Sequence, residues 1–214
     1  NNINLTNEWV NYVFDFSLSA NDQTQLKIFF NHNVTNGTLT DMYYIDDLMF
    51  LPAPCDEPVI ENCSNVVQDY NIISDWNCQQ NYGIETTVPG VLNPLISCDN
   101  RSENVGQYTD DGTEAYDAFI LNYGSIINLN SHNKLKFKLY SNSSIQVLAK
   151  LEGGSAIEKW SDFSSVNTWQ EFSYDFSDSI DNENTTLVLF FNAGQNNGNP
   201  EDIYYIDELR WEEN

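Results

Sequence analysis

Residues 134–140 read Lys-Leu-Lys-Phe-Lys-Leu-Tyr, and this strict alternation decides the fold. Successive side chains of a β-strand point to opposite faces, so Leu135, Phe137 and Leu139 are expected to share one face and the three lysines the other. Residues 145–152 alternate in the same way, with even-numbered side chains outward. The same period of two recurs at 172–176. These segments predict strands that each bury one face.

The apolar run 186–191, Thr-Leu-Val-Leu-Phe-Phe, is continuous, which is typical of a central strand covered on both sides. Turn-forming residues separate the runs, as at 142–144 and at Gly153-Gly154. The sequence shows no convincing helical periodicity. We therefore predict an all-β fold, an antiparallel two-sheet β-sandwich of the jelly-roll type, with a calyx-like barrel as the structural alternative.

The sequence also repeats itself at a distance of 160 to 161 residues. Trp9-Val-Asn-Tyr-Val-Phe-Asp-Phe-Ser recurs as Trp169-Gln-Glu-Phe-Ser-Tyr-Asp-Phe-Ser, and Asp41-Met-Tyr-Tyr-Ile-Asp recurs as Asp202-Ile-Tyr-Tyr-Ile-Asp. Such self-similarity predicts tandem modules. The predicted organisation is the C-terminal third of one β-sandwich repeat at 1–52, a proline-rich linker at 53–58 and a complete repeat at 59–214.

The chain is strongly acidic, with 32 acidic and 8 basic side chains and a formal net charge of -24 at pH 7. Such a field repels nucleic acid, anionic lipid headgroups and anionic polymers, and it attracts cations. No apolar run approaches the roughly 18 residues of a transmembrane helix. We therefore expect neutral polysaccharides, neighbouring copies of the repeat and calcium as partners, and we expect neither nucleic-acid binding nor membrane insertion.

The four cysteines are Cys55, Cys63, Cys78 and Cys98. An even number of cysteines in an acidic, asparagine-rich chain is typical of an exported protein with disulfides. The rival interpretation is a metal site, but the spacings differ from zinc frameworks, whose ligand pairs usually sit about two to four residues apart. Three pairings are open, and the favoured one joins Cys63 to Cys78 and Cys55 to Cys98. The expected location is secreted or at the cell surface.

Two acidic doublets, Asp46-Asp47 and Asp207-Glu208, raise the question of catalysis. Both fall in expected strands, where neighbouring side chains point to opposite faces, so neither doublet is expected to present two carboxylates to one substrate. A hydrolytic triad is unsupported as well, because both histidines stand beside asparagines in expected turns. We therefore expect no enzymatic activity.

Calcium is a better use for these acids. In a jelly roll the first and last strands can lie together, which would bring Asp207 near oxygen ligands in Asp75-Trp-Asn77, and calcium takes six to eight oxygens. Asp46 is the counterpart of Asp207 in the first repeat. We predict a structural calcium with ligands from Asp75, Asn77, Asp207 and Asp46. The alternative is that Asp207 caps a strand end or accepts backbone hydrogen bonds.

Several short segments of the second repeat occur together in one group of known modules: Asp75-Trp-Asn, Asn104-Val-Gly-Gln-Tyr, Tyr116-Asp-Ala-Phe, Lys150-Leu-Glu-Gly, Trp169-Gln-Glu-Phe and Tyr204-Tyr-Ile-Asp-Glu-Leu. The pattern resembles the flavobacterial jelly-roll repeats, similar to carbohydrate-binding modules, that accompany laminarinases, surface glycan-binding proteins and large exported adhesins. The resemblance covers most of residues 70–212 and part of 1–52. It implies an exported protein, a sandwich fold, often a structural calcium, and β-glucan binding in some members.

Two positions depart from that pattern. Related modules often carry an acidic residue where this chain has Asn77, and many have tryptophan where it has Tyr116. The first departure weakens a calcium ligand, because the side chain of Asn77 is uncharged. The second alters a platform on which a sugar ring would stack.

A sugar site needs exposed, flat aromatic side chains flanked by hydrogen-bonding groups. Trp160 and Tyr116 are the candidate platforms, and Lys150 and Glu152, on one strand face, are candidate partners for sugar hydroxyls. The alternatives are packing under a loop for the aromatics and a plain ion pair for the charged residues. Other aromatics, namely Trp76, Trp169, Phe172 and Phe176, are expected in the core.

The sequence thus predicts a non-catalytic, extracellular module that binds a carbohydrate, with a neutral β-glucan as the expected ligand. The alternative is a structural spacer repeat of a long surface adhesin or filament, in which another domain binds.

Overall fold

A computed structural model describes residues 14, 26–28, 44, 45, 48, 55, 57–81, 83, 86–195 and 202–213. The chain divides into two compact units, 1–53 and 54–214. Asp46, the doublet that contains it, and most of the first copy of the repeat lie outside the described residues.

Ten strands make up the described part of the second unit, together with short 3-10 turns at Cys63–Asn65 and Ser177–Ser179. The strands are β1 (Ile72–Ser74), β2 (Gly90–Leu92), β3 (Asn104–Asp110), β4 (Phe119–Asn122), β5 (His132–Tyr140), β6 (Ile145–Glu152), β7 (Ile157–Phe163), β8 (Trp169–Asp175), β9 (Thr186–Phe191) and β10 (Asp202–Glu213). In the described residues we find no helix that is long and apolar enough to span a membrane.

The strands form two antiparallel sheets, which confirms the predicted sandwich. The large sheet has the order β2-β3-β10-β5-β8, and β1 also pairs with β10. The small sheet has the order β4-β9-β6-β7, so β9 is central, as its continuous apolar run predicts. From β3 onward the chain crosses repeatedly between the sheets, as in a jelly roll.

The core lies between the two sheets and follows the predicted alternation. Leu135, Phe137 and Leu139 are fully buried, while the lysines between them lie on the outer face of the large sheet. Phe172 and Phe176 belong to the core, and Trp76 packs against its edge. Each side chain of this size stabilises the fold by about 1.5–3 kcal/mol when it is fully buried.

Trp169 is buried, as predicted, but it does not belong to the cluster of side chains between the two sheets. It pairs with Tyr140, whose side chain is on the outer face of the large sheet. It is nevertheless almost fully buried, because residues 93–95 cover it: its indole N–H donates to Asn93 Oδ1 at 3.2 Å and to the Leu95 carbonyl at 2.9 Å. A loop, rather than the opposite sheet, buries this side chain.

The prediction that the side chains of Asp207 and Glu208 point to opposite faces of the sheet is wrong. The register of β10 against β5 shifts between Asp207 and Arg210, and Glu208 has a φ of 49°. Such a bulge interrupts the alternation by one residue. Asp207 lies opposite Lys138, and Glu208 forms ion pairs with Lys138 and Arg210, so both carboxylates lie on the outer face of the large sheet.

Two disulfides close the N-terminal part of the unit. They join Cys63 to Cys78 and Cys55 to Cys98, the pairs favoured from the sequence. The first ties the segment before β1 to the turn after it, and the second ties residue 55 to the loop that precedes β3. By a chain-entropy argument each bridge stabilises the fold by about 2–4 kcal/mol.

Candidate functional site

The outer face of the small sheet brings together the four residues predicted to contact sugar. Trp160 on β7 lies directly opposite Leu148 on β6, and Leu148 lies opposite Phe190 on β9. Neighbouring strands are about 4.8 Å apart, so Trp160 and Phe190 stand roughly 10 Å apart across the sheet. Side chains in register across three strands thus form a line perpendicular to the strands.

Tyr116 extends this line on the far side of β9. It belongs to the loop between β3 and β4, and its ring meets the Phe190 ring edge-on with centroids 6.4 Å apart. The turn after β9 supports it, because the Gly194 N–H donates to the carbonyl of Ala115 at 2.7 Å. Gly194 has a φ of 79°, a conformation in which a larger side chain would be strained. We call Trp160, Leu148, Phe190 and Tyr116 the aromatic row.

The two ends of the aromatic row are open to solvent and its middle is closed. Trp160 is 48% exposed and Tyr116 is 67% exposed, whereas Leu148 is only 3% exposed. Buried aromatics stabilise a fold, but aromatics exposed to this degree gain little from their position in the free protein. The alternative of packing under a loop is therefore not what the structure shows for either ring.

Three charged side chains border the aromatic row on one side. Lys150 Nζ lies 2.7 Å from Glu152 Oε1 and 3.4 Å from Glu158 Oε1. Lys150 and Glu158 are directly opposite each other on β6 and β7, two residues along the strands from the pair of Leu148 and Trp160. The hydrogen bond to Glu152 is the main cause that raises the pKa of Lys150. We call Glu152, Lys150 and Glu158 the ion triplet.

Polar side chains border the other side. Asp162 on β7 lies opposite Gln146 on β6, and the Gln146 amide donates to Asp162 Oδ1 at 3.4 Å. The backbone N–H of Asn192, just after β9, donates to the Gln146 carbonyl at 2.7 Å. The aromatic row is thus flanked along both borders by groups that donate and accept hydrogen bonds.

A cluster of carboxylates lies at the end of β3 and in the following loop, which carries Tyr116. Asp110, Asp111 and Asp117 place one oxygen each within 4.8 Å of one another. Burial raises the pKa of Asp110, and the neighbouring charge of Asp117 raises it further. Carboxylate oxygens are the ligands that calcium and magnesium prefer, so the donor set suits a hard cation. No motif in the sequence predicted this cluster.

The sequence placed a calcium site elsewhere, and the structure describes three of its four proposed ligands. Asp75 Oδ1 accepts the backbone N–H groups of Asn77, Cys78 and Gln79 at 3.0, 2.8 and 2.8 Å. The Asn77 amide donates to the carbonyls of Asp75 and Asn104. These bonds hold the loop after β1 together, and they use the oxygen of Asp75 that faces the loop.

Asp207, the third proposed ligand, is completely buried under the segment before β3. Asn100 Nδ2 donates to its Oδ2 at 2.9 Å, and the Glu208 N–H donates to its Oδ1 at 2.8 Å. Burial raises its pKa to about 7, although hydrogen bonds from Ser102 and Asn100 oppose the shift. Asp207 therefore accepts a backbone hydrogen bond, which was the alternative to a role as a calcium ligand. The predicted adjacency of the first and last strands is confirmed, since Ser74 pairs with Leu209.

Sequence reasoning missed Leu148 and Phe190 as parts of the site. Leu148 does stand on the predicted outward face of its strand, and an apolar residue among Gln146, Lys150 and Glu152 was the signal. Phe190 lay in a run without alternation, so its direction was not readable. Which residues face each other across β6, β7 and β9 depends on long-range register, which the sequence of one strand does not contain.

No protein-family model and no curated protein matches the sequence. Among solved structures, an exo-beta-agarase gives a TM-score of 0.50 at 10% identity over 67% of this chain and 24% of its own, so the match spans about a quarter of the agarase chain. SGBP-B from a complex xyloglucan utilization locus in Bacteroides uniformis gives 0.46 at 13% identity over 68% and 50%. The family 11 carbohydrate-binding module of a cellulosomal cellulase of Clostridium thermocellum gives 0.44 at 12% identity over 67% and 94%. At these identities the likeness concerns the fold alone.

Proposed function

We propose that this protein is a non-catalytic, exported carbohydrate-binding module whose site is the outer face of the small sheet. The proposed ligand is a neutral polysaccharide, with a β-glucan as the first choice. The observation that carries the proposal is the aromatic row, in which two exposed rings, Trp160 and Tyr116, end a line of apolar side chains. The fold by itself would not decide this, because one fold hosts many functions.

The chemistry of a sugar ring matches this surface. Sugars present apolar C–H faces, which stack on aromatic rings, and hydroxyls around the rim, which need donors and acceptors. The aromatic row supplies the rings, and its borders supply the polar groups, with Gln146 and Asp162 on one side and the ion triplet on the other. The row is open at both ends, which suits a chain that continues beyond the protein.

The charge of the protein favours a neutral ligand. A net charge of -24 repels anionic polymers, whereas a neutral glycan meets no such barrier. Export is supported by the two disulfides, since such bridges persist in oxidising compartments. A non-catalytic role is supported by two of the three carboxylates that border the row, because Glu152 and Glu158 are held in ion pairs with Lys150.

Calorimetry with neutral polysaccharides, among them laminarin and other β-glucans, tests the proposal. We expect binding by the intact protein and a loss of about tenfold or more in affinity for Trp160→Ala and for Tyr116→Ala, because each removes one stacked ring. Tyr70→Ala is the matched control, since Tyr70 is 71% exposed and lies outside this face. It is expected to bind like the unmodified protein.

The alternative function, a structural spacer repeat, predicts no carbohydrate binding. A spacer repeat supplies length and stiffness and needs no ligand on this face. If the folded protein binds none of the neutral glycans tested, the result would therefore support the spacer. Equal losses for the Tyr70 control and the two row variants would also remove the aromatic row as the site.

A further inference from the structure

The ion triplet lies along one border of the aromatic row. There it would contact one edge of a polysaccharide bound on the row. Lys150 and Glu158 face each other on β6 and β7, and the next outward pair along the same two strands is Leu148 and Trp160. Outward residues on one strand are separated by roughly 7 Å, which is within reach of hydroxyls projecting from a sugar stacked on Trp160. The three charged side chains are all partly exposed to solvent.

Lys150 is the only cation on the outer face of the small sheet within the described residues. Lys159 lies on the neighbouring strand but points the other way, over the Phe176 ring at 5.6 Å, and pairs with Asp178 at 2.7 Å. The remaining basic residues of the second unit belong to the large sheet or to the loop before β3: Arg101, Lys134, Lys136, Lys138 and Arg210.

We infer that the ion triplet is a charge filter that excludes chains containing uronic acids from the aromatic row. This inference rests on the proposed function and deepens it by assigning specificity to three residues. Two carboxylates surround one ammonium group, so the triplet carries a net charge of about minus one at neutral pH. Its free carboxylate lone pairs accept hydrogen bonds from sugar hydroxyls.

The two glutamates act by pairing with Lys150, the one group on this face that would otherwise attract an anion. A uronate carboxylate approaching Lys150 has to displace Glu152, whose contact is the shorter at 2.7 Å, while Glu158, which lies 3.4 Å from the same ammonium group, repels it. A neutral sugar needs no such exchange, because its hydroxyls bind to the glutamates with the ion pairs intact. Without its two glutamates, Lys150 would be an unpaired ammonium beside a stacking ring, an arrangement that attracts carboxylates.

The double variant Glu152→Gln with Glu158→Gln tests the filter. It keeps side-chain size and hydrogen-bonding capacity and leaves Lys150 unpaired. We expect the ratio of its affinity for polygalacturonate to its affinity for a neutral β-glucan, both measured by calorimetry at low ionic strength, to rise about fivefold or more. Adding Lys150→Met to the double variant is expected to abolish the gain.

A charge-matched control separates the local filter from bulk repulsion. Glu171→Gln with Glu212→Gln removes the same two charges beside Lys136, on the outer face of the large sheet. An equal gain in this control, or no gain in the double variant, would overturn the filter. A protein that binds no neutral glycan at all would instead overturn the proposed function, so the two failures are distinguishable. Melting curves establish that every variant is folded.

Discussion

The buried carboxyl group of Asp207 makes the stability of the second unit depend on pH. Its side chain is fully buried, and burial raises its pKa to about 7, compared with about 3.9 in an unfolded chain. Between these two values the folded state holds a proton that the unfolded state has lost. The contribution of this group is therefore fully present below pH 4 and is lost as the pH rises through 7.

The size of the effect follows from the shift. A difference of about three pKa units corresponds to about 4 kcal/mol, and the full burial of the group leaves little solvent screening to reduce it. For a domain of this size such a change lowers the melting temperature by roughly 8–16 °C. Other acids titrate in the same range, so the effect is isolated by comparison with a variant that lacks only this ionisation.

Asp207→Asn supplies that comparison, because the amide resembles the protonated carboxyl group and keeps an acceptor for the Glu208 N–H. Asn100 Nδ2 loses its acceptor in this variant, which adds a cost that does not depend on pH. We therefore expect the melting temperature of the variant, relative to that of the unmodified protein, to rise by roughly 8–16 °C from pH 4 to pH 8, as measured by differential scanning calorimetry with chelator present. The control is Asp181→Asn, which alters an exposed carboxylate. A melting difference between Asp207→Asn and the unmodified protein that stays constant from pH 4 to 8 would refute the reasoning.

Two further predictions concern packing and cations. Gly106→Ala is expected to destabilise the fold by about 1–3 kcal/mol in chemical denaturation, because an added Cβ would approach the Trp76 indole within 2.3–2.7 Å, whereas Gly83→Ala, with nothing within 4 Å, should be nearly neutral. Calcium added to chelator-treated protein is expected to raise the melting temperature. The rise should vanish in Asp75→Asn if the ion binds at the site predicted from the sequence, and in Asp117→Asn if it binds at the carboxylate cluster. An unchanged melting temperature would contradict the calcium prediction.

The strands were predictable because their signal is local. Alternation in 134–140 and 145–152 states which side chains are inward without any knowledge of the rest of the chain, and the large and small sheets bear this out. Two exceptions have physical causes. The bulge at Glu208 has a positive φ but no glycine in the sequence to mark it. Trp169 is buried by a loop that is distant in sequence.

The candidate site was predictable only in its separate parts. Trp160, Tyr116, Lys150 and Glu152 were selected for their chemistry, and the structure brings them to one face. What joins them is the register of β6 against β7 and β9, which places Leu148 between Trp160 and Phe190. Register is set by the packing of whole sheets, so it emerges only in the folded molecule.

The bridge between Cys55 and Cys98 also has a mechanical consequence. Tension along the backbone that enters the second unit at residue 55 passes through the two sulfurs to residue 98, so β1, β2 and the smaller covalent loop bear none of it. With this bridge intact, 43 residues cannot be pulled straight. Stretching the unit to a fully extended chain would therefore gain on the order of 140 Å less length than in the reduced protein. For a module tethered at a surface, that hidden length would appear as a redox-dependent step in single-molecule extension.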